Sequence, residues 1–107
     1  MTDERRQHAR VQRPFEGFWS GASGAMRCRI ADISLGGCFV QSLAAPAVGE
    51  RTVVTVTFGD TPSMSFAGTV AYVENGMGFA VTFDEVAGPD RQRLDEFLKA
   101  LSNGVRS

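Results

Sequence analysis

The chain has 107 residues, of which 43% are hydrophobic and 21% charged, enough apolar content for one domain with a modest core and too much for a disordered tail. Eleven basic residues against twelve acidic ones leave a net charge of −1, so no global field draws the chain onto DNA, RNA or an anionic membrane. No apolar run approaches the roughly 18–20 residues that a membrane crossing needs. Met1-Thr2-Asp3-Glu4-Arg5-Arg6 lacks the apolar stretch of a secretory signal, so a cytoplasmic location is expected.

Residues 1–10 carry no apolar period and are expected to form a flexible, arginine-rich arm ahead of a single domain over 11–104. Val11 to Ser20 predicts a first strand, closed by a turn at Gly21-Ala22-Ser23-Gly24. Met26, Cys28 and Ile30 alternate with Arg27 and Arg29, which sends one face inward and leaves the other charged. Gly37 to Gln41 predicts a third strand, and Leu43 to Glu50, with Pro46 and Gly49, a loop. Val54, Val56 and Phe58 alternate with threonines, Gly59-Asp60-Thr61-Pro62 reads as a turn, and Met64 to Val73 runs back. Asn75-Gly76 predicts a type I′ hairpin leading into Phe79, Val81 and Phe83. The period then switches. Gly88-Pro89 suits a helix start, Leu94, Phe97, Leu98 and Leu101 line one face, and Asn103-Gly104 suits a stop, so a helix is expected over about 88–102. The expected fold is β-dominated: a six-stranded antiparallel β-barrel with a C-terminal amphipathic helix, whose apolar stripe covers an open end of the barrel.

Catalytic chemistry finds little to work with. His8 is the sole histidine and lies in the polar arm, away from any nucleophile and its supports. The phosphate-loop, dinucleotide-loop and HExxH patterns are missing, so no enzyme is expected. Cys28 and Cys38 are too few for a zinc site and are expected to be reduced and packed. Asp84 and Glu85, adjacent at a strand end, suit a solvated turn better than a metal or acid/base pair. A nucleic-acid groove would want exposed aromatics beside basic residues, whereas most of the eight phenylalanines alternate inward.

Two short clusters remain. Arg5-Arg6-Gln7-His8-Ala9-Arg10 contains an RxxxR spacing through Arg6 and Arg10, and Asp32-Ile33-Ser34-Leu35-Gly36-Gly37 is a DxSxxG. Each alone has a plain explanation, a solvated tail and a turn whose side chains bond their own backbone. In this order on this strand pattern, the chain resembles the PilZ-domain family of bacterial cyclic di-GMP receptors. The likeness extends through Val48-Gly49-Glu50-Arg51 and Gly76 to Phe83, covering roughly residues 4–101.

The resemblance implies a stand-alone receptor that grips cyclic di-GMP between arm and turn and relays the signal to a protein partner in motility, biofilm or secretion control. It assigns the ligand to Arg5, Arg6, Arg10, Asp32, Ser34, Gly36 and Gly37, with no cofactor and no metal. An arginine fork matches phosphates and the O6/N7 edge of guanine. The donor-only N1–H and N2–H₂ edge needs an acceptor such as Asp32 or Ser34, and glycines let backbone approach the ligand. Arg5 beside the RxxxR pair implies an intercalated dimer of ligand, two per chain. The alternative is a ligand-independent adaptor that docks a partner through barrel or helix.

Overall fold

The period-two runs become strands because each places β-branched and aromatic residues on one face and short polar residues on the other. The computed structural model describes residues 15–44, 46–58, 61–84 and 88–106. The strands are β1 (Phe15–Gly21), β2 (Gly24–Ser34), β3 (Gly37–Gln41), β4 (Arg51–Phe58), β5 (Thr61–Glu74) and β6 (Gly78–Phe83), followed by helix α1 (Gly88–Arg106). They close into a barrel in the order β1-β2-β3-β6-β5-β4, every pairing antiparallel. Closure leaves no bare sheet edge.

Inward residues of all six strands fill the barrel. Trp19, Ile30, Ile33, Val40, Val54, Val56, Val70 and Phe79 are almost wholly removed from solvent. Trp19 meets Phe79 edge-on at 5.3 Å, and Phe66 stacks on Phe83 at 4.8 Å. Leu94 and Leu98 of α1, one helical turn apart, are buried in the same core, and Phe97 packs on Phe15 at 6.3 Å. The helix therefore plugs the end of the barrel where β1 begins.

Two element limits and one turn type differ from the sequence reading. The described part of the first strand starts at Phe15, and residues 11–14 lie outside the described residues. Thr61 and Pro62 belong to β5 rather than to the preceding turn, because Phe58 pairs with Thr61; proline is tolerated at the start of a strand. The helix runs through Asn103-Gly104 to Arg106, since a glycine inside a helix costs only about 1 kcal/mol. The Asn75-Gly76 hairpin is not type I′. Of the two turn residues only Gly76 takes a positive φ (81°), Met77 N–H donates to the Glu74 carbonyl at 3.0 Å, and Glu74 pairs with Gly78. That is a type II turn in a three-residue loop, which needs glycine at its third position and leaves Asn75 in ordinary backbone space.

The β3–β4 connection crosses the other end of the barrel and is pinned by Glu50. Its carboxylate accepts from Ser23 N–H at 2.8 Å, Ser23 Oγ at 2.8 Å and Ala47 N–H at 3.1 Å. These donors, Ser23 foremost, hold Glu50 below the usual carboxylate range.

Candidate functional site

The DxSxxG segment ends β2, turns, and opens β3. Ser34 is buried: its Oγ accepts from Gly36 N–H at 3.2 Å and donates to the Gly37 carbonyl at 3.5 Å. The hydroxyl thus holds the turn in shape. Gly36 faces solvent while its carbonyl accepts from Phe83 N–H at 3.0 Å, tying the turn to β6. Gly37 is buried between strands, and a Cβ there would stand 2.2 Å from the Val81 carbonyl oxygen. Close approach of β3 to β6 accounts for this glycine.

Asp32 reaches the surface through an irregularity. Alternation from the buried Ile30 would turn it inward. A bulge between Ile30 and Asp32 inserts Ala31 and shifts the phase, so that Asp32 pairs with Phe39 on the outer face. A second bulge, between Val70 and Tyr72, does the same in β5 and leaves Tyr72 50% exposed. The two bulges create one outward row across four strands: Asp32, Phe39, Ala80, Tyr72. Four strands at about 4.8 Å spacing make that row about 14 Å wide. Phe39 and Tyr72 lean together over the small Ala80, ring centroids 6.4 Å apart. The next outward row holds Glu16, Arg29, Gln41, Gly78 and Glu74.

A half-buried carboxylate on a rigid strand, two aromatic rings tilted 38° to each other and an arginine one row away can accept hydrogen bonds, stack a ring on a planar base and donate to an acceptor edge. Sequence reasoning missed Phe39 and Tyr72. Phe39 was findable, as the outward residue between Cys38 and Val40; Tyr72 was not, because the bulge reverses its phase. Of the sequence-expected site, Asp32, Ser34, Gly36 and Gly37 lie along one β2–β3 hairpin, and Arg5, Arg6 and Arg10 lie outside the described residues.

A family model described as the PilZ domain matches residues 4–100. The chain belongs to the PilZ family. PilZ domains are ligand-binding and adaptor modules rather than a known family of enzymes. Three solved structures of this fold are similar. An inhibitor of motility from Bacillus subtilis (MotI/DgrA) has a TM-score of 0.82 at 18% identity, over 96% of this chain and 54% of that one. Escherichia coli YcgR in complex with c-di-GMP has a TM-score of 0.79 at 22% identity, over 95% of this chain and 48% of that one. The isolated PilZ domain of YcgR with c-di-GMP has a TM-score of 0.77 at 21% identity, over 95% of both chains. The chain thus spans about half the length of the first two. No curated protein matches the sequence.

Among the described residues, one further polar cluster ties strands of this PilZ barrel together. Arg51 donates to both carboxylate oxygens of Asp84 at 2.8 and 2.6 Å and to Thr69 Oγ1 at 3.0 Å, drawing Asp84 below its usual range and clamping the exit of β6. Asp84 is therefore engaged rather than merely solvated, and Glu85 lies outside the described residues. Cys28 and Cys38 are packed thiols; burial, helped by Glu16, pushes Cys28 up to about 11, which makes it a poor nucleophile. No metal-binding cluster occurs among the described residues, and no helix there is long and apolar enough to cross a membrane.

Proposed function

We propose that this PilZ domain is a cytoplasmic cyclic di-GMP receptor that clamps the dinucleotide between the Arg6/Arg10 arm and the Asp32–Gly37 turn. The observation that carries the reading is the bulge-built row beside that turn. Asp32 supplies an acceptor for the guanine N1–H and N2–H₂ groups, and the Phe39–Tyr72 pair supplies a stacking surface for a purine. Similarity to two structures described with c-di-GMP supports it.

The arm's arginines meet the phosphates and the O6/N7 edges, each charge-assisted bond contributing about 1.5–3 kcal/mol. Binding orders residues 1–10, and that change passes the signal to a protein partner; similarity to a motility inhibitor points to motility control. Arg5 offsets the charge of a second, intercalated dinucleotide.

Calorimetric titration with cyclic di-GMP tests this directly. Micromolar or tighter binding is expected, with a plateau at two ligands per chain and at one for Arg5→Ala. Arg6→Ala or Arg10→Ala should weaken binding by about 2–4 kcal/mol, roughly 30- to 1,000-fold, without unfolding the barrel. No heat at tens of micromolar ligand would instead favour an adaptor. That second reading has one observation behind it, a groove of about 290 Å³ between β5 and α1 lined by Met64, Arg93, Glu96 and Phe97.

A further inference from the structure

We infer that Arg29, a residue of the barrel wall outside both motifs, selects guanine over adenine at this site; the inference rests on the cyclic di-GMP reading above. Arg29 pairs with Gln41, and Ile30 beside it pairs with Val40 in the core, so Arg29 and Gln41 face outward as Asp32 and Phe39 do. Gln41 and Phe39 are successive outward residues of one regular strand, about 7 Å apart. The Arg29 side chain is exposed, and among the described residues no hydrogen bond or ion pair engages its guanidinium. Glu16 stands on its other flank, across β1, without closing an ion pair.

The edge of a guanine presents N2–H₂ and N1–H donors and then the O6 acceptor, with N7 beyond. β2 presents the complement along one line: the Asp32 acceptor, then the Arg29 donor fork. With N1–H against Asp32, O6 and N7 fall on the Arg29 side, where two parallel N–H donors suit them. Adenine inverts both positions. Its N6 amino group would meet the guanidinium, donor against donor, and its N1 acceptor would meet the carboxylate. Because Arg29 projects from a hydrogen-bonded strand, its contact requires no ordering of the arm. A cyclic dinucleotide carries two bases: the arm's arginines hold the phosphates and one guanine, and Arg29 reads the base that Asp32 accepts.

The experiment is a titration of wild type, Arg29→Ala, Arg29→Lys and Arg27→Ala with cyclic di-GMP and with cyclic di-AMP. Arg27 is the control, on the same strand and face but one row further away, paired with Phe18. Arg29→Ala should lose about tenfold in affinity for cyclic di-GMP, a typical worth of one bidentate arginine–guanine contact, and nothing for cyclic di-AMP. Arg29→Lys should recover part of the affinity without the full preference, since ammonium lacks the fork. Arg27→Ala should leave both constants within about twofold. If Arg29→Ala keeps the wild-type ratio of the two affinities, or Arg27→Ala shifts that ratio as much, the assignment is overturned while the receptor reading stands. A wild-type protein that binds neither dinucleotide removes the receptor reading, and this assignment with it.

Discussion

Gly37 shows at the residue scale how one position serves fold and site together. Its Cα faces the Val81 carbonyl so closely that a methyl group would lie 2.2 Å from that oxygen. The obstacle is hydrogen-bonded backbone, paired through Gly37 and Thr82, which cannot rotate aside as a side chain could. Gly37→Ala should therefore destabilise the barrel by about 1–3 kcal/mol, the usual cost of overpacking. Chemical denaturation checks this, and a stability change below about 0.5 kcal/mol would show that β3 and β6 separate easily. The motif glycine was legible in the sequence; its reason was not, because the partner oxygen is 44 residues further along the chain. Asp32 and Ser34 were legible in the same way, as a turn signature. That Ser34 spends its hydroxyl on Gly36 and Gly37 appears only once the turn is built.

Among elements, the β3–β4 connection depends on one side chain. Glu50 gathers the Ser23 and Ala47 donors, joining the first hairpin to the loop. Its carboxyl is held below its ordinary value, so the charged form is favoured in the folded state. The stabilisation is fully present above the unfolded-state value of about 4.3 and is lost as pH falls through the lower folded-state value. Wild type should melt above Glu50→Gln at neutral pH, and the two melting curves should converge as pH falls below about 4. Thermal melts at pH 7, 5, 4 and 3 test this, and a gap that stays constant with pH would rule out the carboxylate as its source. The loop itself was readable from Pro46 and Gly49. The contact to Ser23, 27 residues upstream, was not.

On the scale of the whole molecule, barrel and helix form one core. Leu98 is 2% exposed, and its removal leaves a void that neighbouring strands cannot close without bending the barrel. Leu98→Ala should cost about 2–5 kcal/mol, measurable by urea unfolding. A cost below 1 kcal/mol would mean that the helix is an appendage rather than a plug. Phe15, the first described residue of β1, packs on Phe97 of that helix, so the strand that follows the arginine arm also touches the plug. If ligand orders the arm as proposed, hydrogen exchange should show new protection at residues 7–11 on adding cyclic di-GMP. Protection already complete without ligand would remove ordering as the signal.

What the sequence determined alone follows from local rules. Period-two alternation named six strands, period 3.6 named the helix and its buried face, and the RxxxR and DxSxxG spacings named the family and the turn. Tertiary structure decided what those rules cannot carry across distance. A bulge adds one residue to a strand and reverses the phase of all that follow, and its position depends on the register of the neighbouring strand. Hence Asp32 and Tyr72, which alternation from Ile30 and Val70 would turn inward, stand together on the outer face with Phe39 between them. The turn was written in six consecutive residues; the surface beside it exists only because four strands closed in one particular register.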